Sequence, residues 1–163
     1  MKNSLLLLAL AATFTFSSCG KDDDKDNGPS GAPDGGMTAK VDGTQWTAQD
    51  ENVQMTSMGT MKMLTASQVS GSASQTIQFT LTGVDAAGTY GSDKVIANYT
   101  TMSGTTAQSW STMGGTGNNV TFVITSLDEE NGATGTFSFT ATGANGATGT
   151  KTVTDGSFKN VVF

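Results

Sequence analysis

From Asn119 to Leu127 (NVTFVITSL) apolar and polar positions alternate, with Val120, Phe122 and Ile124 on one side. Thr136 to Ala141 (TFSFTA) repeats the pattern with Phe137, Phe139 and Ala141, and Thr76 to Thr82 (TIQFTLT) with Ile77, Phe79 and Leu81. A period of two sends successive side chains to opposite faces of a strand, so each segment predicts a strand with one buried face and one wet face. Thr38 to Val41 and Gln45 to Ala48 predict an opening hairpin around Asp42-Gly43, with Trp46 turned inward. Val53 to Met58, Thr60 to Ser67 and Lys94 to Thr100 predict further strands, and Thr105 to Thr116 has no clear period. No stretch holds a helical period.

Turn chemistry sets the boundaries. Asn131-Gly132, Asn145-Gly146 and Asp155-Gly156 supply the positive φ that tight hairpins need. They divide the C-terminal part into four strands, 119–127, 133–142, 147–154 and 157–163. The hexapeptide Asn-Gly-Ala-Thr-Gly-Thr occurs at 131–136 and 145–150, but the residues after it diverge, so one turn solution is used twice rather than a repeat unit. The predicted fold is all-β: an antiparallel β-sandwich of about 8–10 strands ending in a four-stranded meander, with a lipocalin-like closed barrel as the alternative.

The first 36 residues follow other rules. One positive charge at Lys2 precedes an almost wholly apolar run from Leu5 to Phe16. This is the layout of a secretory signal, and the run falls short of the roughly 20 apolar residues of a membrane-spanning helix. The segment Phe16-Ser17-Ser18-Cys19 resembles the lipobox of bacterial lipoproteins, with Phe16 where an aliphatic residue is usual. The resemblance implies cleavage before Cys19, a diacylglycerol thioether on its sulfur and an acyl chain such as palmitate on its new amino group. Several chains, each contributing about 0.8 kcal/mol per buried CH₂, give stable anchoring. Lys21, Asp22, Asp23 and Asp24 follow at once and resemble the surface-export signal of Bacteroidota lipoproteins. Asn27 to Gly36 is a Gly/Pro-rich linker. The expected organisation is a signal peptide at 1–18, a lipidated cysteine with an acidic flexible tether at 19–36, and an exported domain at 37–163.

Composition narrows the chemistry. The net charge is −6 and the chain has no Arg, which disfavours phosphate backbones and anionic head groups, so no nucleic-acid partner is expected. With no His and a single Cys, neither a Ser-His-Asp nor a Cys-His arrangement can be assembled, nor a zinc site of the usual kind. No catalytic residues, cofactor or metal site are predicted, and the chain is read as a non-enzyme. No disulfide within the chain is available to reinforce the core.

The segment Thr38-Ala39-Lys40-Val41-Asp42-Gly43-Thr44-Gln45-Trp46-Thr47-Ala48 resembles the start of a family of small bacteroidete lipoproteins of unknown function. Gly88-Thr89-Tyr90, Tyr99, Gly135-Thr136-Phe137-Ser138-Phe139 and Asp155-Gly156 with Phe158 are similar to later landmarks, in the same order. The resemblance implies an all-β fold and a surface location, and supplies no activity. Residues 55–63 and 103–118 fit its pattern poorly.

Candidate contacts are few. Trp46, Tyr90, Tyr99 and Trp110 supply rings with a polar edge, the usual equipment of a sugar platform. Trp46 and Tyr90 sit at strand positions and read as core. Trp110, in the polar loop-like stretch Gln108-Ser109-Trp110-Ser111, is the best candidate for a ligand contact. Met55, Met58, Met61 and Met63 suit a soft metal such as Cu(I), or adaptable packing, and packing is preferred because no Cys or His accompanies them. Asp128, Glu129 and Glu130 read as a solvated hairpin tip. Asp42, Asp93, Asp128 and Asp155 are the only stock for a carboxylate-only hydrolase, and three of them read as turn residues. The expected function is a lipid-anchored outer-membrane surface lipoprotein. Its membrane partner is reached through the lipid on Cys19, and its non-catalytic β-domain binds an extracellular glycan or protein. A small-ligand carrier built on a barrel is the alternative.

Overall fold

The computed structural model describes residues 31–128 and 130–162. The signal segment, Cys19, Lys21 and the acidic residues Asp22 to Asp24 lie outside the described residues, as does Glu129.

Eleven strands follow in order: β1 (Met37–Val41), β2 (Thr44–Ala48), β3 (Val53–Met58), β4 (Met61–Ser70), β5 (Ala73–Thr82), β6 (Gly88–Tyr90), β7 (Val95–Ser103), β8 (Thr106–Ser111), β9 (Asn119–Asp128), β10 (Gly132–Ala144) and β11 (Thr150–Val161). A single 3-10 turn, Asp50–Asn52, joins β2 to β3. All pairings are antiparallel.

Two layers result. One runs β2-β1-β11-β10-β9-β6 and the other β8-β7-β5-β4-β3. The end of β10, Thr142 to Ala144, pairs with β8 and carries the hydrogen bonding from one layer to the other. The strand order starts at β2 and stops at β3, and these two do not pair. The protein is therefore a β-sandwich and not the closed lipocalin-like barrel held as the alternative.

Phenylalanines fill the interior. Phe79 of β5 lies 4.8 Å from Phe122 of β9 and 4.9 Å from Phe137 of β10, ring centre to ring centre. These contacts cross the layers and fill the space between them. Burying each such side chain contributes roughly 1.5–3 kcal/mol. Trp46 is 1% exposed in the same core, and its indole N–H has no hydrogen-bond partner among the described residues.

The predicted four-stranded meander is three strands. Segments 147–154 and 157–163 belong to one strand, β11, which pairs with β10 on one side and β1 on the other. The backbone explains the difference. A two-residue hairpin of the favoured type needs positive φ at both central residues. Asp42 (φ 48) with Gly43 (φ 81), and Asn145 (φ 47) with Gly146 (φ 87), meet this. At the third pair Asp155 (φ 51) is left-handed while Gly156 is not. The result is a bulge: the register slips between Phe137 and Phe139, and the strand continues. Gly156 has a separate duty, since a Cβ there would run into the Phe137 ring.

Thr105 to Thr116, without clear period in sequence, contains β8. Its one large apolar residue, Trp110, points inward between Ser109 and Ser111. The loop expected around Trp110 is corrected on this point.

Candidate functional site

At one end of the sandwich the layers separate and leave a cleft of about 360 Å³. The β1–β2 hairpin forms one wall with Val41, Asp42, Thr44 and Gln45. The β4–β5 hairpin forms the other with Gln68 and Gln75. Tyr99 of β7 and Lys151 of β11 complete the lining.

Strand register explains why amides gather here. Gln68 is opposite Gln75, Gln75 is opposite Thr101, and Thr101 is opposite Gln108. All four share the parity of the inward residues Leu64, Ile77, Tyr99 and Trp110, so they continue the core face beyond its apolar part. Neighbouring strands lie about 4.8 Å apart, so the row presents closely spaced polar groups along the mouth. Gln45 approaches from the opposite layer.

The Tyr99 hydroxyl donates to Gln75 Oε1 at 2.8 Å. Burial of the phenol, with Asp42 nearby as a lesser cause, pushes its pKa up to about 12. Asp42 accepts from Lys151 Nζ and, at 3.0 Å, from the Thr152 backbone N–H. These bonds hold its carboxyl below the usual carboxylate range, against a smaller opposing effect of burial. The one carboxylate and the one ammonium lining the cleft are thus paired with each other. The cleft is polar, carries no net charge and is rich in groups that both donate and accept.

Of the four aromatic residues singled out in the sequence, the fold brings two together. Tyr99 and Trp110 lie 5.8 Å apart, tilted by 38°. Trp110 is 6% exposed, its indole N–H donates to Thr148 O at 3.1 Å, and Lys151 Nζ sits 5.3 Å from its ring centre. It does not line the cleft and acts on it through Lys151. Tyr90 is on β6 at the edge of the other layer, with its hydroxyl donating to Ala86 O.

The remaining candidates are dispersed. Met55 is buried in the core, whereas Met58 and Met61 are exposed at the β3–β4 tip, so the four methionines do not share one face. Asp128 Oδ1 accepts from the backbone N–H groups of Asn131 and Glu130, which lowers its pKa within a hairpin loop. Asp155 pairs with Lys40 at 2.9 Å. It lines a second, shallower groove of about 540 Å³ on the outer face of β9, β10 and β11, with Thr121, Thr136, Ser138 and Thr154. Each of the two concavities holds one carboxylate. The larger groove is hydroxyl-lined and open, and the smaller cleft assembles more kinds of group around a common point.

The glutamines went unnoticed in the sequence. Their signal was a polar residue near the end of the inward set on neighbouring strands, as at Gln68 and Gln75, and it becomes legible only once register is known.

A family model matches residues 34–162, nearly the whole described region. The chain belongs to the DUF6252 family. That family is described as a domain of unknown function, in keeping with the resemblance to an uncharacterised all-β family. No curated protein and no solved structure matches the chain. The DUF6252 match takes in both walls of the cleft, from Asp42 to Lys151.

Proposed function

We propose that the chain is a lipid-anchored outer-membrane lipoprotein of the Bacteroidota cell surface. Its β-domain is a non-catalytic binding module whose cleft takes a neutral glycan. The cleft carries this reading. Three glutamine carboxamides, a threonine hydroxyl and a phenol surround a carboxylate and an ammonium that already neutralise each other. Such groups match a ligand with many hydroxyls and no charge. A charged ligand would have to break the Asp42–Lys151 pair. The lipid anchor rests on Cys19 and its flanking sequence.

The cleft is tested by measuring binding of the domain to immobilised neutral polysaccharides. Gln68→Ala with Gln75→Ala is expected to weaken binding at least about tenfold in a domain that still folds, with a stability loss of no more than about 1–3 kcal/mol from the Tyr99 hydroxyl that loses its acceptor. Each lost hydrogen bond to a neutral group contributes about 0.5–1.5 kcal/mol. Binding that survives both changes would move the site elsewhere. The anchor is tested by metabolic labelling with an alkyne palmitate in cells producing wild type or Cys19→Ala, with protease shaving of intact cells. Label on wild type alone, removed with the domain by shaving, supports a surface lipoprotein. Unlabelled wild type would leave a soluble exported domain.

A further inference from the structure

The outward positions within β3, β4, β5, β7 and β8 carry no charged side chain, and Lys94, just before β7, stands at the border of this face beside Gly83. Inward positions on these strands are fixed by the buried Met55, Leu64, Ile77, Phe79, Ala97, Tyr99 and Trp110, and the alternate positions face outward. Register arranges the outward residues in rows across the layer. Thr65, Gln78, Asn98 and Ser111 form one central row, and Ser67, Thr76, Thr100 and Ser109 the next. Toward one end lie Met63, Thr80 and Ile96, then Met58 with Met61. Toward the other lie Val69, Ser74, Met102 and Ala107.

About 20 outward positions are involved. A protein surface with roughly 25–35% charged residues would place about five to seven charges among them. The rest of the chain is acidic, and its four described ion pairs, at Lys40, Lys62, Lys151 and Lys159, all lie off this face.

The face is also ordered and partly apolar. Ser67 and Thr76 hydroxyls lie 2.9 Å apart, Thr100 donates to Ser109 at 3.3 Å, and Gln78 Nε2 donates to Thr65 Oγ1 at 3.3 Å. These cross-strand bonds hold the central band in place before anything binds. Both ends are apolar and solvent-exposed, with Met58 at 57%, Met61 at 41%, Val69 at 60% and Met102 at 48%.

We infer that two copies of the chain associate through this face. Along the strands the pattern runs apolar, hydroxyl and amide, apolar, and it reads alike from either end. A two-fold axis lying in the face, along or across the strands, therefore sets apolar ends on apolar ends and the polar band on the polar band. That is the self-complementarity an isologous contact requires. Acidic copies repel each other by every charged face, and this face lets them meet without burying a charge. Its extent suffices: about 20 positions, each covering about 4.8 by 6.7 Å, give about 650 Å² per copy before side-chain relief is added. Stable interfaces bury about 1,200–2,000 Å² in total. Exposed methionines suit the contact, since Met is enriched in interfaces and charge is depleted from their centres.

The test is sedimentation of residues 31–163, which hold the entire described core, over a wide concentration range. The expected result is a monomer–dimer equilibrium. Thr80→Lys with Thr100→Lys should weaken the dimer at least about tenfold, while Thr121→Lys with Thr140→Lys, on the outer face of the other layer, should leave it unchanged. A monomer at every concentration, or equal weakening by both pairs, would overturn the proposal. A second measurement avoids inserting charge. Thr100→Cys, giving this segment its sole thiol, should form a disulfide-linked dimer under mild oxidation, and Thr121→Cys should not. A monomeric wild type that binds a neutral oligosaccharide, and loses it in the Thr80→Lys, Thr100→Lys form, would assign the face to a glycan instead.

Discussion

Lys151 Nζ lies 5.3 Å from the centre of the Trp110 ring while ion-paired with Asp42, so one ammonium joins a buried indole to the wall of the cleft. Lys151 reaches this place from β11, and Asp42 stands opposite it in the β1–β2 turn. The lysine stem is half-buried and the charge is shared between a ring face and a carboxylate. The cleft wall is held from below as well as from the side.

Replacing Trp110 by Phe keeps an aromatic face but removes the indole donor to Thr148 O. The expected cost is about 1–3 kcal/mol, from the stranded carbonyl and the poorer fit, measured by chemical denaturation. Lys151→Met tests the other half. It should cost less than about 1 kcal/mol, because the pair is partly solvated, and it should leave Asp42 as an unpaired carboxylate in the cleft. A tested neutral glycan would then bind more weakly, read by the same polysaccharide assay.

Tyr99 gives an alkaline signature. Its folded-state pKa of about 12 lies above the unfolded value near 10, so folding favours the protonated phenol. Stability from this group is complete below about pH 10 and is lost as pH rises toward 12. The loss should be about 1–2 kcal/mol, less than the full two-unit equivalent because the cleft mouth is open to water. Comparing unfolding of wild type and Tyr99→Phe between pH 9 and 12 (about the accessible range) isolates it, and parallel curves would refute the assignment.

Asp42 behaves in the opposite sense. Its depressed pKa means that its contribution is present above the unfolded value near 3.9 and disappears as pH falls below that. Asp42→Asn should flatten the acid limb of the stability curve, because the variant is less stable than wild type at neutral pH and converges on it below about pH 4. An unchanged acid limb would mean that the Lys151 contact is not held in solution.

The bulge at Asp155-Gly156 makes a structural prediction. Gly156→Ala places a Cβ against the Phe137 ring and its carbonyl oxygen, so it should cost about 1–3 kcal/mol as overpacking. Gly104→Ala, in the open β7–β8 turn with φ 56 and no neighbour within 4 Å, should cost about 1 kcal/mol from backbone strain alone. Denaturation midpoints of the two variants separate crowding from conformational preference.

The alternation around Phe79, Phe122, Phe137 and Phe139 by itself determined the strands and the core, because a period of two leaves each apolar set only one face to occupy. The Asp42-Gly43 turn was equally legible, since its geometry is local. Asp155-Gly156 was not: whether an Asp-Gly pair reverses the chain or bulges depends on partners on both sides, and β1, more than a hundred residues away in sequence, holds β11 straight. Trp110 looked exposed among polar neighbours because its burial comes from the opposite layer and from Lys151. The cleft and the charge-free face were decided by tertiary structure alone. Both are made of residues set side by side by cross-strand register, and register is a property of the assembled sheet rather than of any one strand.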